Sequence, residues 1–153
     1  MTDLLVITGL SGAGKSTCLF ALADVGFYCV DNLPVPLLPQ LLETLRPIAQ
    51  PRIAVGIDAR DTAYLASFPK VRDELLGAGH DLEVLFLEAP DDVLLRRFSE
   101  TRRRHPLGEL PAAIDAERAQ LAPVRGLASS TIDTAVMRAR ELRRLVRDRY
   151  GAR

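Results

Sequence analysis

Residues 9–16 read Gly9-Leu10-Ser11-Gly12-Ala13-Gly14-Lys15-Ser16, and the apolar run Leu4 to Thr8 leads straight into them. This is the spacing G-x-x-x-x-G-K-[ST]. Its residue types follow from wrapping an anion with main-chain N–H groups, where bulky side chains and negative φ are obstacles that Gly9, Gly12 and Gly14 remove. Helix-type spacing runs from Lys15 through Leu19, Leu22 and Ala23 to Gly26, so the positive end of a helix faces the same anion. Lys15 is one of only two lysines beside eighteen arginines, and it supplies a flexible point charge where a rigid guanidinium fits less well. Ser16 offers a hydroxyl to Mg²⁺. A strand before the motif and a helix after it are the context that a phosphate-binding loop requires. We therefore expect residues 9–16 to grip the phosphates of ATP or GTP.

Outward from that loop, short apolar runs alternate with helical patterns. Phe27–Val30, Ile53–Ile57, Val84–Leu87 and a short run at 131–133 read as strands. Helices are expected after Pro34, over 62–76, from Pro90 to about Arg103, over 111–122 and from Ala139 to Tyr150. Strands that are apolar throughout and separated by helices predict a parallel sheet covered on both faces. The expected fold is a three-layer α/β/α, kinase-like P-loop NTPase domain spanning 1–153, with a central parallel sheet of about five strands. Ligands in such sheets sit at the carboxyl ends of strands.

Three further patterns fall at those ends. Ala54-Val55-Gly56-Ile57-Asp58 resembles a strand whose terminal carboxylate orders Mg²⁺ through water, making Ser16 and Asp58 the expected metal residues. Asp31-Asn32 fits either a base for a substrate hydroxyl or a helix-capping turn. Arg96-Arg97 and Arg102-Arg103-Arg104-His105 resemble lid arginines that close over phosphates, with Arg103 as the candidate for transition-state charge. Residues 101–110 are the expected lid, because His105-Pro106 disfavours helix and Gly108 adds freedom. Arg97 reads as a solvated helix end. His105 is either a phosphate- or proton-binding group or an ordinary loop histidine, and His80 reads as surface.

Net charge is zero, but residues 1–95 carry six basic and thirteen acidic side chains against fourteen and seven in 96–153. That asymmetry fits solvated arginine-rich helices or a face turned to a polyanion. Cys18 and Cys29 are expected as buried free thiols, with no histidine at a metal spacing. No apolar run approaches the ~20 residues of a membrane span, and Met1 to Thr8 reads as a core strand rather than a signal peptide. A cytoplasmic protein without a membrane partner is expected.

Longer stretches carry a resemblance. Gly26-Phe27-Tyr28-Cys29-Val30-Asp31-Asn32-Leu33-Pro34, Ile57-Asp58-Ala59-Arg60 and Arg96-Arg97-Phe98-Ser99-Glu100-Thr101-Arg102-Arg103-Arg104-His105-Pro106-Leu107, with the glycine loop, look like the N-terminal domain of the RapZ/YvcJ family of nucleotide-binding proteins. The resemblance implies ATP binding at 9–16, GTP binding at Asp58, Ala59, Arg60 and Asp61, and slow hydrolysis of both nucleotides in a regulatory role. Position 61 is Asp where some members carry Asn. It also implies a second, C-terminal domain, linked to RNA in the best known branch, so that 1–153 corresponds to the first half of a two-domain protein or to a one-domain relative. RNA is then a partner only through that other domain. The rival readings are a small-molecule kinase with Asp31 as base and a non-catalytic nucleotide-binding module. Base preference, physiological partner and oligomeric state are left open.

Overall fold

The structure, a computed structural model, describes residues 3–48, 52–58, 65–102 and 104–151. Five strands form one sheet: β1 (Asp3–Gly9), β2 (Tyr28–Val30), β3 (Arg52–Gly56), β4 (Asp81–Glu88) and β5 (Ser130–Asp133). Their order is β2-β3-β1-β4-β5, with every pairing parallel. The helices are α1 (Lys15–Asp24), α2 (Leu38–Leu45), α3 (Phe68–Gly77), α4 (Asp91–Thr101), α5 (Ala112–Arg125) and α6 (Ala139–Tyr150), and short 3-10 turns at Val35–Leu37 and Arg46–Ile48 flank α2. Helices α1 and α6 pack together on one face, while α2, α3 and α5 form a connected layer on the other. This is the expected three-layer α/β/α fold.

The central strand explains its own sequence. Leu4 to Gly9 are buried, because β1 has a strand on each edge and helices on both faces. Each large apolar side chain withdrawn from water there contributes about 1.5–3 kcal/mol. Chain direction across the sheet reverses at β1, so the crevice beyond its carboxyl end is the place where a ligand meets this architecture. Gly9 ends the strand with φ +146°, and a Cβ there would lie 2.2 Å from the Leu87 carbonyl oxygen, so the loop leaves the sheet through a gap only glycine fits.

Several boundaries differ from the sequence expectation. Strand β4 starts at Asp81, three residues early, because it pairs along all of β1, and that pairing carries the polar Asp81 and Glu83 with it. Helix α5 runs on to Arg125 through Pro123, whose exposed ring faces solvent and which forgoes its own N–H bond to the preceding turn. Helix α3 begins at Phe68, and residues 59–64 lie outside the described residues. His80 is half-buried rather than surface, and of the free thiols Cys18 is buried but Cys29 only half-buried. Among the described residues, no helix is long and apolar enough to cross a membrane.

Candidate functional site

The loop after β1 closes a short turn, with the Ala13 N–H donating to the Leu10 carbonyl at 2.9 Å. Gly14 then takes φ +111° as the residue before α1, and a Cβ there would meet Leu142 of α6 at 2.6 Å. The first intrahelical bond is Cys18 N–H to Gly14 C=O at 3.0 Å, so the N–H groups of Lys15, Ser16 and Thr17 precede the helical ladder and have no helical acceptor.

Two distant residues hold the loop in shape. Thr134, just after β5, donates its hydroxyl to the Ala13 carbonyl at 2.7 Å, and its own N–H donates to Glu88 C=O at 2.8 Å. Arg97 of α4 donates to the Gly12 carbonyl at 2.9 Å and to the Thr134 hydroxyl at 3.0 Å, and also to the Thr134 carbonyl. A trans peptide points its C=O and N–H in opposite directions. Fixing the Ala13 carbonyl on Thr134 therefore turns the Gly14 N–H away from it. Arg97, expected as a solvated helix end, is half-buried and braces the loop, and burial and the neighbouring Arg96 charge lower its pKa.

Asp58 lies two residues past β3. The register Ile7↔Gly56, continued by the Ile57 N–H donating to Ile7 C=O at 3.0 Å, sets it beside the start of the loop. It is buried, and its Oδ2 lies 3.7 Å from Lys15 Nζ. Asn32 takes a left-handed turn at φ +58° after β2, and the preceding Asp31 carboxylate overlies Gly56, where a Cβ would come within 2.4 Å of its Oδ1. The Asp31-Asn32 pair thus makes a turn, but neither side chain caps the helix that follows, contrary to the capping expectation, and Asp31 lines the cavity instead.

These groups share one cavity of about 580 Å³, lined by residues 10–17 together with Asp31, Asp58, Arg97, Phe98, Thr101, Arg104, Pro106, Thr134, Met137, Arg138, Ala139 and Leu142. The return of the arginine segment to the loop has a simple geometry. Helix α4 ends at Thr101, Arg102 reverses the chain in a left-handed conformation at φ +54°, and a turn follows in which Gly108 N–H donates to His105 C=O at 3.2 Å. Arg104 lines the cavity, whereas Arg102 does not. Arg103, Ala59, Arg60 and Asp61, all expected at the site, lie outside the described residues.

Among the described residues no cluster of three or more His, Cys, Asp or Glu could hold a metal by itself. A Ser16 hydroxyl and an Asp58 carboxylate suit Mg²⁺, which typically takes one or two protein ligands and completes its octahedron with phosphate and water. The glycine cradle, the helix N-terminus and Lys15 suit a phosphate chain.

A parallel sheet with a glycine-lysine loop at its reversal point defines the class as a P-loop, kinase-like α/β fold. The same fold is found in the tunicamycin resistance protein of Deinococcus radiodurans (TM-score 0.66, 19% identity, covering 99% of this chain and 96% of that one). It is found also in a shikimate kinase from Bacteroides thetaiotaomicron (TM-score 0.59, 15% identity, 95% of each chain). Within that class the chain belongs to the RapZ-like N-terminal domain family, whose description matches residues 2–153. A "Nucleotide-binding protein" of Anaeromyxobacter dehalogenans (strain 2CP-C) is 51% identical over 156 residues, covering 98% of this chain and 53% of that protein. The chain thus spans about half the length of such relatives.

Proposed function

We propose that this chain binds a magnesium nucleoside triphosphate, ATP or GTP, and hydrolyses it slowly as a regulatory switch. The observation that carries the reading is Lys15 at the amino end of α1, behind a left-handed Gly14 and 3.7 Å from the buried Asp58, at the mouth of the cavity. In this reading the N–H groups of Gly14, Lys15 and Ser16, at the start of α1, receive the phosphates and the Lys15 ammonium meets the terminal ones. Ser16 and Asp58 hold Mg²⁺, which would neutralise charge on the phosphate oxygens. Residues 58–61 contribute to GTP recognition, as the family resemblance implies. Lys15, Asp58 and an arginine of 102–104 act on the transferring phosphate. The setting is cytoplasmic. In keeping with the longer relatives, residues 1–153 correspond to a first domain, and no RNA contact is assigned to them.

The test is magnesium-dependent binding of ATP and of GTP by calorimetry, followed by phosphate release. Saturable binding that weakens on chelation, with turnover well below the ~1 s⁻¹ at the low end of ordinary enzymes, supports the reading. Binding without release leaves a non-catalytic module.

Phosphoryl transfer to a small hydroxyl acceptor is a second reading, favoured by one observation: Asp31 lines the same cavity, and Gly56 leaves room for its carboxylate. A screen for acceptors that raise ADP formation above the hydrolytic rate separates the two.

A further inference from the structure

Behind the phosphate loop lies a buried cluster that the nucleotide reading does not use. Glu117 of α5 is 1% exposed. Its Oε1 accepts the Ser11 N–H at 2.8 Å and its Oε2 accepts the Ser11 hydroxyl at 2.6 Å. The same Oε1 lies 3.0 Å from Nε2 of His105, which is 5% exposed. His105 Nδ1 accepts the Leu107 N–H at 3.1 Å, so the ring proton sits on Nε2 and is donated to Glu117. The carboxylate thus takes three donors, two from the phosphate loop and one from the segment after α4. The ring of Phe98 lies against His105, with centroids 5.3 Å apart.

The two neighbours of His105 face the other way, since Arg104 and Pro106 line the cavity. A side chain anchored inward at 105 therefore fixes where the backbone presents residue 104. No solvated loop needs a buried carboxylate for this. An unpaired carboxylate at that depth costs several kcal/mol, and the three donors that offset the cost also lock the segment to Ser11.

We propose that His105 and Glu117 form a latch that places Arg104 against the phosphate loop, so that Arg104 is the arginine of the 102–104 run that meets the terminal phosphate of a bound triphosphate. Arg104 makes the contact, and His105 and Glu117 are positioning residues that act through it. The assignment rests on the nucleotide reading above.

The experiment measures turnover and ADP affinity in Arg104→Ala, His105→Ala and the double variant. Each single variant should lower turnover about tenfold or more with ADP affinity kept, since charge on the terminal phosphate develops in the reaction. The double variant should be no slower than the slower single one, because His105 works through Arg104. Losses that multiply, or ADP affinity falling in step with turnover, overturn the proposal. Glu117→Gln can keep the same three contacts, since its amide oxygen accepts from Ser11 and His105 and its NH₂ donates to the Ser11 hydroxyl.

Trypsin cutting after Arg104, read by fragment mass, is a second measurement that needs no turnover. A non-hydrolysable triphosphate should protect that bond in the wild type more than ADP does, and equal protection overturns the contact. Without nucleotide, Glu117→Ala should be cut there about tenfold faster than wild type and Glu117→Gln should not, because cleavage follows the open population. Equal rates in all three remove the latch. Absence of nucleotide binding by the wild type would instead defeat the nucleotide reading while this last comparison still judges the latch.

Discussion

Lys15 Nζ lies 3.7 Å from Asp58 Oδ2, with the two side chains 17% and 6% exposed, so the cation that opens α1 and the carboxylate just past β3 face each other inside the cavity. In the proposed function Lys15 serves the phosphates and Asp58 the metal, so this pair is where the two proposed roles meet.

Asp58→Asn removes that carboxylate while keeping its size. Nucleotide affinity in the presence of Mg²⁺ should fall to the level the wild type shows with a chelator, by about tenfold or more for one lost metal ligand. Calorimetry with and without Mg²⁺ checks this, and a variant that keeps the full magnesium effect removes Asp58 from the metal site.

Gly14→Ala places a Cβ 2.6 Å from Leu142 at φ +111°. The backbone conformation costs about 1–3 kcal/mol for a non-glycine residue. Thermal melting should drop, and Leu142→Ala in the same chain should restore none of the part due to φ. Complete recovery in that double variant would mean the clash alone matters.

The β1–loop–α1 unit and the alternation of five parallel strands with helices were legible because each rests on neighbours in sequence, and Asp58 was legible from the strand just before it, whereas the strand order was not read. The braces were not. Arg97, Thr134 and Glu117 reach the loop from 85, 121 and 106 residues away, and no local pattern encodes such contacts. One signal for Glu117 was present: it interrupts the buried stripe Ala113, Ile114, Leu121 and Val124 of α5, where helical spacing calls for an apolar residue. A carboxylate in such a stripe needs donors, and His105 twelve residues earlier supplies one. Arg97 was misread because an arginine on a surface helix is normally solvated, and its acceptors, Gly12 and Thr134, lie far away in sequence.

Arg97→Ala should loosen the loop rather than the fold. It removes charged donors from the Gly12 carbonyl and from Thr134, each such bond being worth about 1.5–3 kcal/mol. Nucleotide affinity should fall at least tenfold, and Arg97→Lys should recover only part of it, since one ammonium does not span both acceptors. Unchanged affinity in Arg97→Ala would show that the loop holds its shape without the brace.

Burial pushes the Cys18 thiol up to about 12 and the Cys29 thiol to about 11. Only thiolate reacts with an alkylating or disulfide reagent, so both should be protected near pH 8. Cys29 should react roughly a hundredfold more slowly than an exposed cysteine, at tenfold per pH unit, and Cys18 more slowly still. Denaturant should release two equivalents at once. Rapid labelling of either in the native protein would contradict the packing around α1 and β2.

The central claim is that the loop at 9–16 holds a nucleotide through Lys15, and titration of Lys15→Ala with ATP-Mg²⁺ and GTP-Mg²⁺ beside the wild type tests it most directly. The account predicts that most of the affinity is lost, while the variant still melts cooperatively without nucleotide at a somewhat lower temperature, because the buried Asp58 loses the cation 3.7 Å away. A variant that binds either nucleotide as tightly as the wild type would contradict it.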